Sequence, residues 1–120
     1  SIGLVGSEMC IRDRYSLDTY LTNNYFDLVL IDIEGSEYFA MQGMTNILSK
    51  TKTLIVEFLP HHIINVAGVR LTDFLENVPK HLTKLTIPSK NCTYSINEGF
   101  VVLQQMFDSG QGDDGIIFHN

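Results

Sequence analysis

Hydrophobic positions change period several times along the chain, and each change marks an element. Ser16 can cap a short helix with Leu17, Tyr20 and Leu21 on one face, ended by Asn23-Asn24. The run Phe26 to Ile33 follows, apolar at every position from Leu28 to Ile31. Such a run predicts a strand buried on both faces, as in a parallel sheet sandwiched by helices. Gly35-Ser36 turns the chain, and residues 37 to 49 take a helical period through Phe39, Met41, Met44, Ile47 and Leu48. Gly43 inside that helix costs about 1 kcal/mol against Ala, so it predicts close packing. Thr53 to Phe58 is a second two-sided strand, and strand, helix, strand with short links is a βαβ unit.

The period is less regular beyond Phe58. Leu59 to Gly68 reads as a loop, or as a short helix after Pro60. Thr72 opens a helix carrying Leu71, Phe74, Leu75 and Val78, which Pro79 kinks or ends. Leu82 to Ile87 alternates as a third strand. Ser95 and Glu98 have capping-box spacing and start a helix through about Phe107. Gly110 to Gly115 is a tight acidic link, and Gly115 to Phe118 is a closing strand. The sum is the tail half of a doubly wound α/β sheet, mostly parallel, with helices on both faces. Its first strand, Leu28 to Ile33, would present an open apolar edge.

Residues 4 to 15, LVGSEMCIRDRY, resemble a translated adaptor sequence. Residues 1–15 are therefore read as a non-native leader and residues 16–120 as the domain portion; the competing reading is a natural strand at Ile2 to Val5. A net charge of −6 disfavours nucleic acid and anionic membrane surfaces as partners. No apolar run approaches a membrane span. Cys10 and Cys92 have no metal-ligand spacing, so they read as free thiols of a reducing, cytoplasmic compartment.

The chemistry concentrates in Ile31-Asp32-Ile33-Glu34-Gly35-Ser36-Glu37, at the carboxyl end of a buried strand, where open α/β sheets bind ligands. Asp32 and Glu34 lie two apart and share a face for as long as strand geometry lasts. Glu37 starts the next helix, where a negative charge suits the dipole. Glu57 ends the neighbouring strand and shares the rim if the two strands are in register. Carboxylates this close either raise one pKa, which suits a general base, or hold a cation or a substrate donor. The plainer alternative is helix capping by Asp32 and Glu34 and pairing of Glu57 with a lysine. His61 and His62 follow Pro60 near the same rim, and one of them, with His61 taken as the candidate, can serve as a base or substrate contact.

The string LVLIDIEGSEYFAMQGM followed by TLIVEF resembles the signature of FkbM-type methyltransferases: Asp-x-Glu-Gly-x-Glu after a strand, a helix with an internal Gly, then a strand ending in Glu. Asp32, Glu34, Gly35, Glu37, Gly43 and Glu57 all fit, and Ser16-Leu17-Asp18 is similar to the family's upstream Leu-Asp element. The resemblance spans about residues 16 to 118. It implies the C-terminal half of a Rossmann-like sheet, with the last strand antiparallel. It also implies S-adenosylmethionine as donor and O-methylation of a sugar or other small hydroxylated molecule. Asp32, Glu34, Glu37, Glu57 and His61 are then the candidate catalytic residues, with no metal. The family's glycine-rich donor loop is expected upstream of residue 16, so this chain alone is expected to bind donor poorly. The literal G-x-G-x-x-G at Gly110 to Gly115 stands between a helix and a strand, the reverse of the order a phosphate loop needs, and reads as a surface turn. Two rivals use the same features: a hydrolase holding Mg²⁺ or Mn²⁺ on the carboxylates, and a non-enzymatic module that binds a partner through the open edge.

Overall fold

The computed structural model describes residues 16–21 and 25–120. The proposed leader, with Cys10, lies outside the described residues. Five strands form one sheet in the order β1-β2-β5-β3-β4. They are β1 (Leu28–Ile31), β2 (Thr53–Phe58), β3 (Lys84–Ile87), β4 (Cys92–Ser95) and β5 (Asp113–His119). The described helices are α1 (Leu17–Tyr20), α2 (Glu37–Gln42), α3 (Thr45–Ser49), α4 (Pro60–His62), α5 (Leu71–Leu75) and α6 (Ile96–Ser109); a π-turn covers Ile63–Ala67 and a 3₁₀ turn Pro88–Lys90. No helix among the described residues is long and apolar enough to cross a membrane.

The expected mostly parallel sheet is corrected. Only β1 and β2 pair in parallel; β2/β5, β3/β5 and β3/β4 are antiparallel. The cause is β4, a strand that the hydrophobic pattern did not predict. Its Cys-Thr-Tyr-Ser is polar and mostly exposed. It forms because Pro88–Lys90 and left-handed Asn91 (φ 50°) fold the chain back onto β3. That hairpin reverses direction. A helical crossover returns a strand parallel to the one it left. So α6 delivers β5 parallel to β4 and antiparallel to β3 and β2, as expected for the last strand.

Helices on both faces are also corrected. Along β1, β2 and β3 burial alternates strictly. The inward set Val29, Ile31, Leu54, Val56, Phe58, Leu85, Ile87, Ile116 and Phe118 joins the helical Met41, Leu48, Phe74 and Leu103 in one core. On the opposite face Leu28 and Leu30 are 55% and 57% exposed. Helices therefore cover one face among the described residues, and β1, the end strand, has β2 as its one described neighbour.

The predicted helix at 37–49 breaks at Gly43-Met44 into α2 and α3. Asp18 supplies the cap for the second piece from outside it: its carboxylate accepts from Asn46 N at 2.8 Å, Ile47 N at 3.0 Å and Thr45 Oγ1 at 3.1 Å. Ser16 precedes α1 but does not cap it through its side chain; its hydroxyl donates to the Gly43 carbonyl at 2.7 Å. A methyl group at Gly43 would meet Ser16 at 3.5 Å, ordinary contact, so close packing does not demand glycine there. α5 starts after Arg70 rather than at Thr72, with Asp73 accepting from the Arg70 backbone and guanidinium. Ser95 caps α6 through its side chain, with Glu98 N donating to Ser95 Oγ, but the reciprocal half of the box is replaced: the Glu98 carboxylate accepts from the Ser95 hydroxyl at 2.9 Å.

Gly99 lets α6 lie directly on β3. A Cβ there would fall 2.3 Å from Leu85 Cδ2, in a residue with no exposure. Gly99→Ala is expected to lower stability by about 1–3 kcal/mol, the usual cost of overpacking, read as a drop in urea midpoint at constant m-value.

Candidate functional site

Three strands end on one rim of the sheet. β1, β2 and β3 run in the same direction, and β5 starts where they finish. The β1/β2 register ends on Ile31 opposite Val56, so Asp32 and Glu57 are the next pair along the ladder. Both follow the parity of the helix-free face. The expected meeting of Glu57 with the first strand's acidic end is thus produced by in-register pairing.

Strand geometry stops at Ile31, which undoes the expectation that Asp32 and Glu34 share a face. Glu34 adopts φ +59° and Gly35 φ +99°, a tight turn that carries the Glu34 side chain into solvent. Left-handed backbone is uncommon for glutamate and calls for support from its surroundings. Glu37 provides it. Its side chain is buried at 3% exposure, and its carboxylate accepts from Ile33 N at 2.7 Å and Gly35 N at 3.1 Å. Instead of simply answering the helix dipole, Glu37 ties down the loop that connects Asp32 to α2. The other side of the turn is held by the π-turn, where Gly68 N donates to Ile63 O at 2.9 Å. Val66 of that turn abuts Gly35. Single π-turns often occur at functional sites.

Glu37→Ala leaves two backbone N–H groups without their acceptor, at an expected cost of about 2–3 kcal/mol. Glu37→Gln keeps an acceptor and should cost less. It also removes a negative neighbour of Glu57, so the Glu57 carboxyl should titrate lower, as carbon-detected NMR would read.

Glu57 is the electrostatic centre. Burial raises its pKa from 4.5 to about 7, helped by the Asp32 charge, a hydrogen bond shared with Asp32 and the Glu37 charge, and opposed by His62. Its Oε1 faces His62 Nδ1 at 3.4 Å. Both atoms are buried, and neither has hydrogen-bond geometry to any partner. The histidine beside Glu57 is His62, while the candidate His61 lies away from the carboxylate. His61 is exposed and stacks edge-on against the His62 ring at 4.4 Å between centroids. Adjacent residues on a helical turn point apart, so only one can reach β2; Pro60 marks where α4 starts but not which side of it faces β2.

Among the described residues no lysine or arginine neutralises this cluster: the Lys and Arg ion pairs are Lys52–Asp27 and Arg70–Asp73, both elsewhere. Asp32, Glu37, Glu57 and His62 come together; Glu34 and His61 stay at the solvent edge. Glu37, Glu57 and His62 can each offer one donor atom within 4.8 Å of the others, so a cation fits by distance. Glu37 is the weak member, since both its oxygens already accept backbone N–H groups. The glycine-rich Gly110–Gly115 runs from α6 into β5 and carries Asp113 and Asp114, as its sequence order suggested.

A family model described as the methyltransferase FkbM domain matches residues 7–96, beginning inside the segment read as a leader. No curated protein and no solved structure matches the chain.

Proposed function

Since this chain belongs to the FkbM methyltransferase family, we propose that it carries the acceptor side of an O-methylation, with Glu57 as the base that takes the hydroxyl proton. Membership implies methyl transfer from S-adenosylmethionine, which supplies an electrophilic methyl group. The residues here act on the other reactant. The observation that carries the reading is the Glu57 carboxyl, held near pKa 7 by burial beside Asp32 and Glu37. A base matched to neutral pH is what proton removal from a hydroxyl requires.

Asp32 borders the same space, and its charge keeps Glu57 basic. His62 Nδ1 stands where it can hold the proton that Glu57 accepts; a separation of 3.4 Å shortens readily when substrate closes the site. Glu37 fixes the turn, and through it the position of Asp32. Glu34 and His61, exposed at the edge, are assigned to contacts with the acceptor. The acceptor is a small hydroxylated molecule such as a sugar, and the exposed free thiol of Cys92 suits a reducing, cytoplasmic setting.

The test is chemical. Incubating the intact enzyme with methyl-labelled donor and candidate acceptors should yield an ether, stable to mild alkali. An alkali-labile ester or an N-methyl product would overturn O-methylation. Chelator should leave the rate unchanged; a rate lost to chelator and restored by Mg²⁺ or Mn²⁺ would favour a cation on Glu57 and His62.

A further inference from the structure

β2 and β5 lose register next to Glu57. Val56 pairs with Ile116, and Phe58 pairs with Asp113, so Glu57 faces two residues of β5, Asp114 and Gly115. This is a β-bulge, a device that bends a strand and re-aims its side chains, and it recurs beside active sites. The regular register, from Leu54 with Phe118 to Val56 with Ile116, puts Gly115 directly across from Glu57. Glycine has no side chain, so that cross-strand position sets nothing against the carboxylate.

A bulge interrupts the ladder and has to be held by other bonds. Asp113 supplies them. It is 8% exposed, and its carboxylate accepts from Gly115 N at 3.1 Å and from Ser89 N at 2.9 Å. The first bond closes a local turn over the bulge, as aspartate side chains do two residues on. The second anchors the bulge to the 3₁₀ turn Pro88–Lys90 at the end of β3. On the β2 side, Gly112 lies hard against the strand end; a Cβ there would fall 2.6 Å from Leu59 Cδ2 and 2.8 Å from the Phe58 carbonyl. Among the described residues no lysine or arginine pairs with Asp113. A buried carboxylate without a cation is a costly way to fill space. What it does here is orient two backbone N–H groups.

We propose that Asp113 is a positioning residue for Glu57: by holding Gly115 N and Ser89 N it fixes the bulge, and the bulge sets where the Glu57 carboxylate stands on the rim. The proposal rests on Glu57 as the base of the O-methylation, and it adds a residue outside the matched segment 7–96. The charged groups that act on Glu57 come from the end of β1 (Asp32), from α2 (Glu37) and from α4 (His62), while β5 brings Gly115 and the exposed Asp114. Burial is the largest reason the Glu57 carboxyl titrates high. Relaxing the bulge frees the end of β2 and lets water reach that carboxyl, which should then titrate lower.

The experiment follows the Glu57 carboxyl by carbon-detected NMR, and methyl transfer by kinetics, in the intact enzyme and in Asp113→Ala, Asp113→Asn and Gly99→Ala. Asp113→Ala removes both acceptors. The Glu57 titration should move down from about 7 toward the ordinary carboxylate range. The kcat should fall on the order of 10²-fold, the cost of misplacing a reacting group by about 1 Å, with KM for the acceptor little changed. Asp113→Asn keeps one acceptor oxygen and turns an NH₂ toward the other N–H, so it should fall between the Ala variant and the unmodified enzyme in both readings. Gly99→Ala strains α6 on β3 without touching the bulge; it should lower the urea midpoint and leave titration and kcat where they were.

A Glu57 titration unmoved in Asp113→Ala, or moved equally by Gly99→Ala, would overturn the proposal. If the Ala variant does not fold, an Asn variant identical to the unmodified enzyme in both readings overturns it alone. The titration needs no turnover, which separates this role from the reaction. A titration lowered by Asp113→Ala in an enzyme that yields no ether keeps the positioning role and removes the O-methylation. An ether formed at an unchanged rate by Asp113→Ala keeps the O-methylation and removes the positioning role.

Discussion

Glu57→Gln is expected to cut methyl transfer by roughly 10²–10⁴, the usual contribution of a positioned base, while making the protein more stable at pH 8. The two effects share one cause. The Glu57 carboxyl has a pKa of about 7 in the fold and 4.5 when free of it. Between those values the folded state binds more protons than the unfolded state, so stability falls as pH rises from about 4.5 to about 7. Above pH 7 the full penalty is present, at most about 3 kcal/mol for a shift of this size. Glutamine keeps the shape and never ionises, so it relieves the penalty and loses the base.

The unmodified enzyme should show log(rate) climbing with pH to a plateau near pH 7, because only the ionised carboxylate takes a proton. Rates across pH 5–9, paired with urea midpoints for both proteins, check it. A flat rate profile, or a Gln variant less stable at pH 8, would sink the assignment.

Gly35→Ala carries the second large effect, expected to cost about 2–5 kcal/mol from strained backbone and overpacking together. At φ +99° any side chain is disfavoured. The added methyl would also sit 2.8 Å from Val66 Cβ, across from the π-turn. The chain can relieve that contact only by moving the π-turn or the Glu34-Gly35 turn. The first shifts His62, which directly precedes the π-turn; the second breaks the hydrogen bonds to Glu37. Activity should therefore fall further than the lost stability explains. Pairing with Val66→Ala removes the two Cγ contacts and leaves the one with Cβ, so the double variant should recover only part of the packing cost and keep the backbone part. Full recovery would show that φ at Gly35 costs nothing, contrary to expectation.

Much of the site was legible in the order of residues alone. Three carboxylates at the end of an apolar run, and a fourth at the end of the next, implied one rim, because parallel neighbours in a βαβ unit finish together. Capping spacing located α6 from Ser95 and Glu98. The misses have definite causes. Leu28 and Leu30 are as apolar as Val29 and Ile31, so composition could not tell a face packed on helices from one exposed to solvent. The hairpin strand β4 carries no alternating pattern, since neither of its faces is well buried. His61 and His62 are chemically identical, and only the phase of a three-residue helix chose between them.

Local sequence therefore determined what each segment becomes and where acidity gathers: periodicity, caps and turn residues act over a few positions and leave their mark in order along the chain. Tertiary structure alone decided the direction of β5, the bulge opposite Glu57, the burial that lifts its pKa and the approach of Val66 to Gly35. Each of these depends on segments tens of residues apart meeting at a particular register, and desolvation and close contact arise only from that meeting.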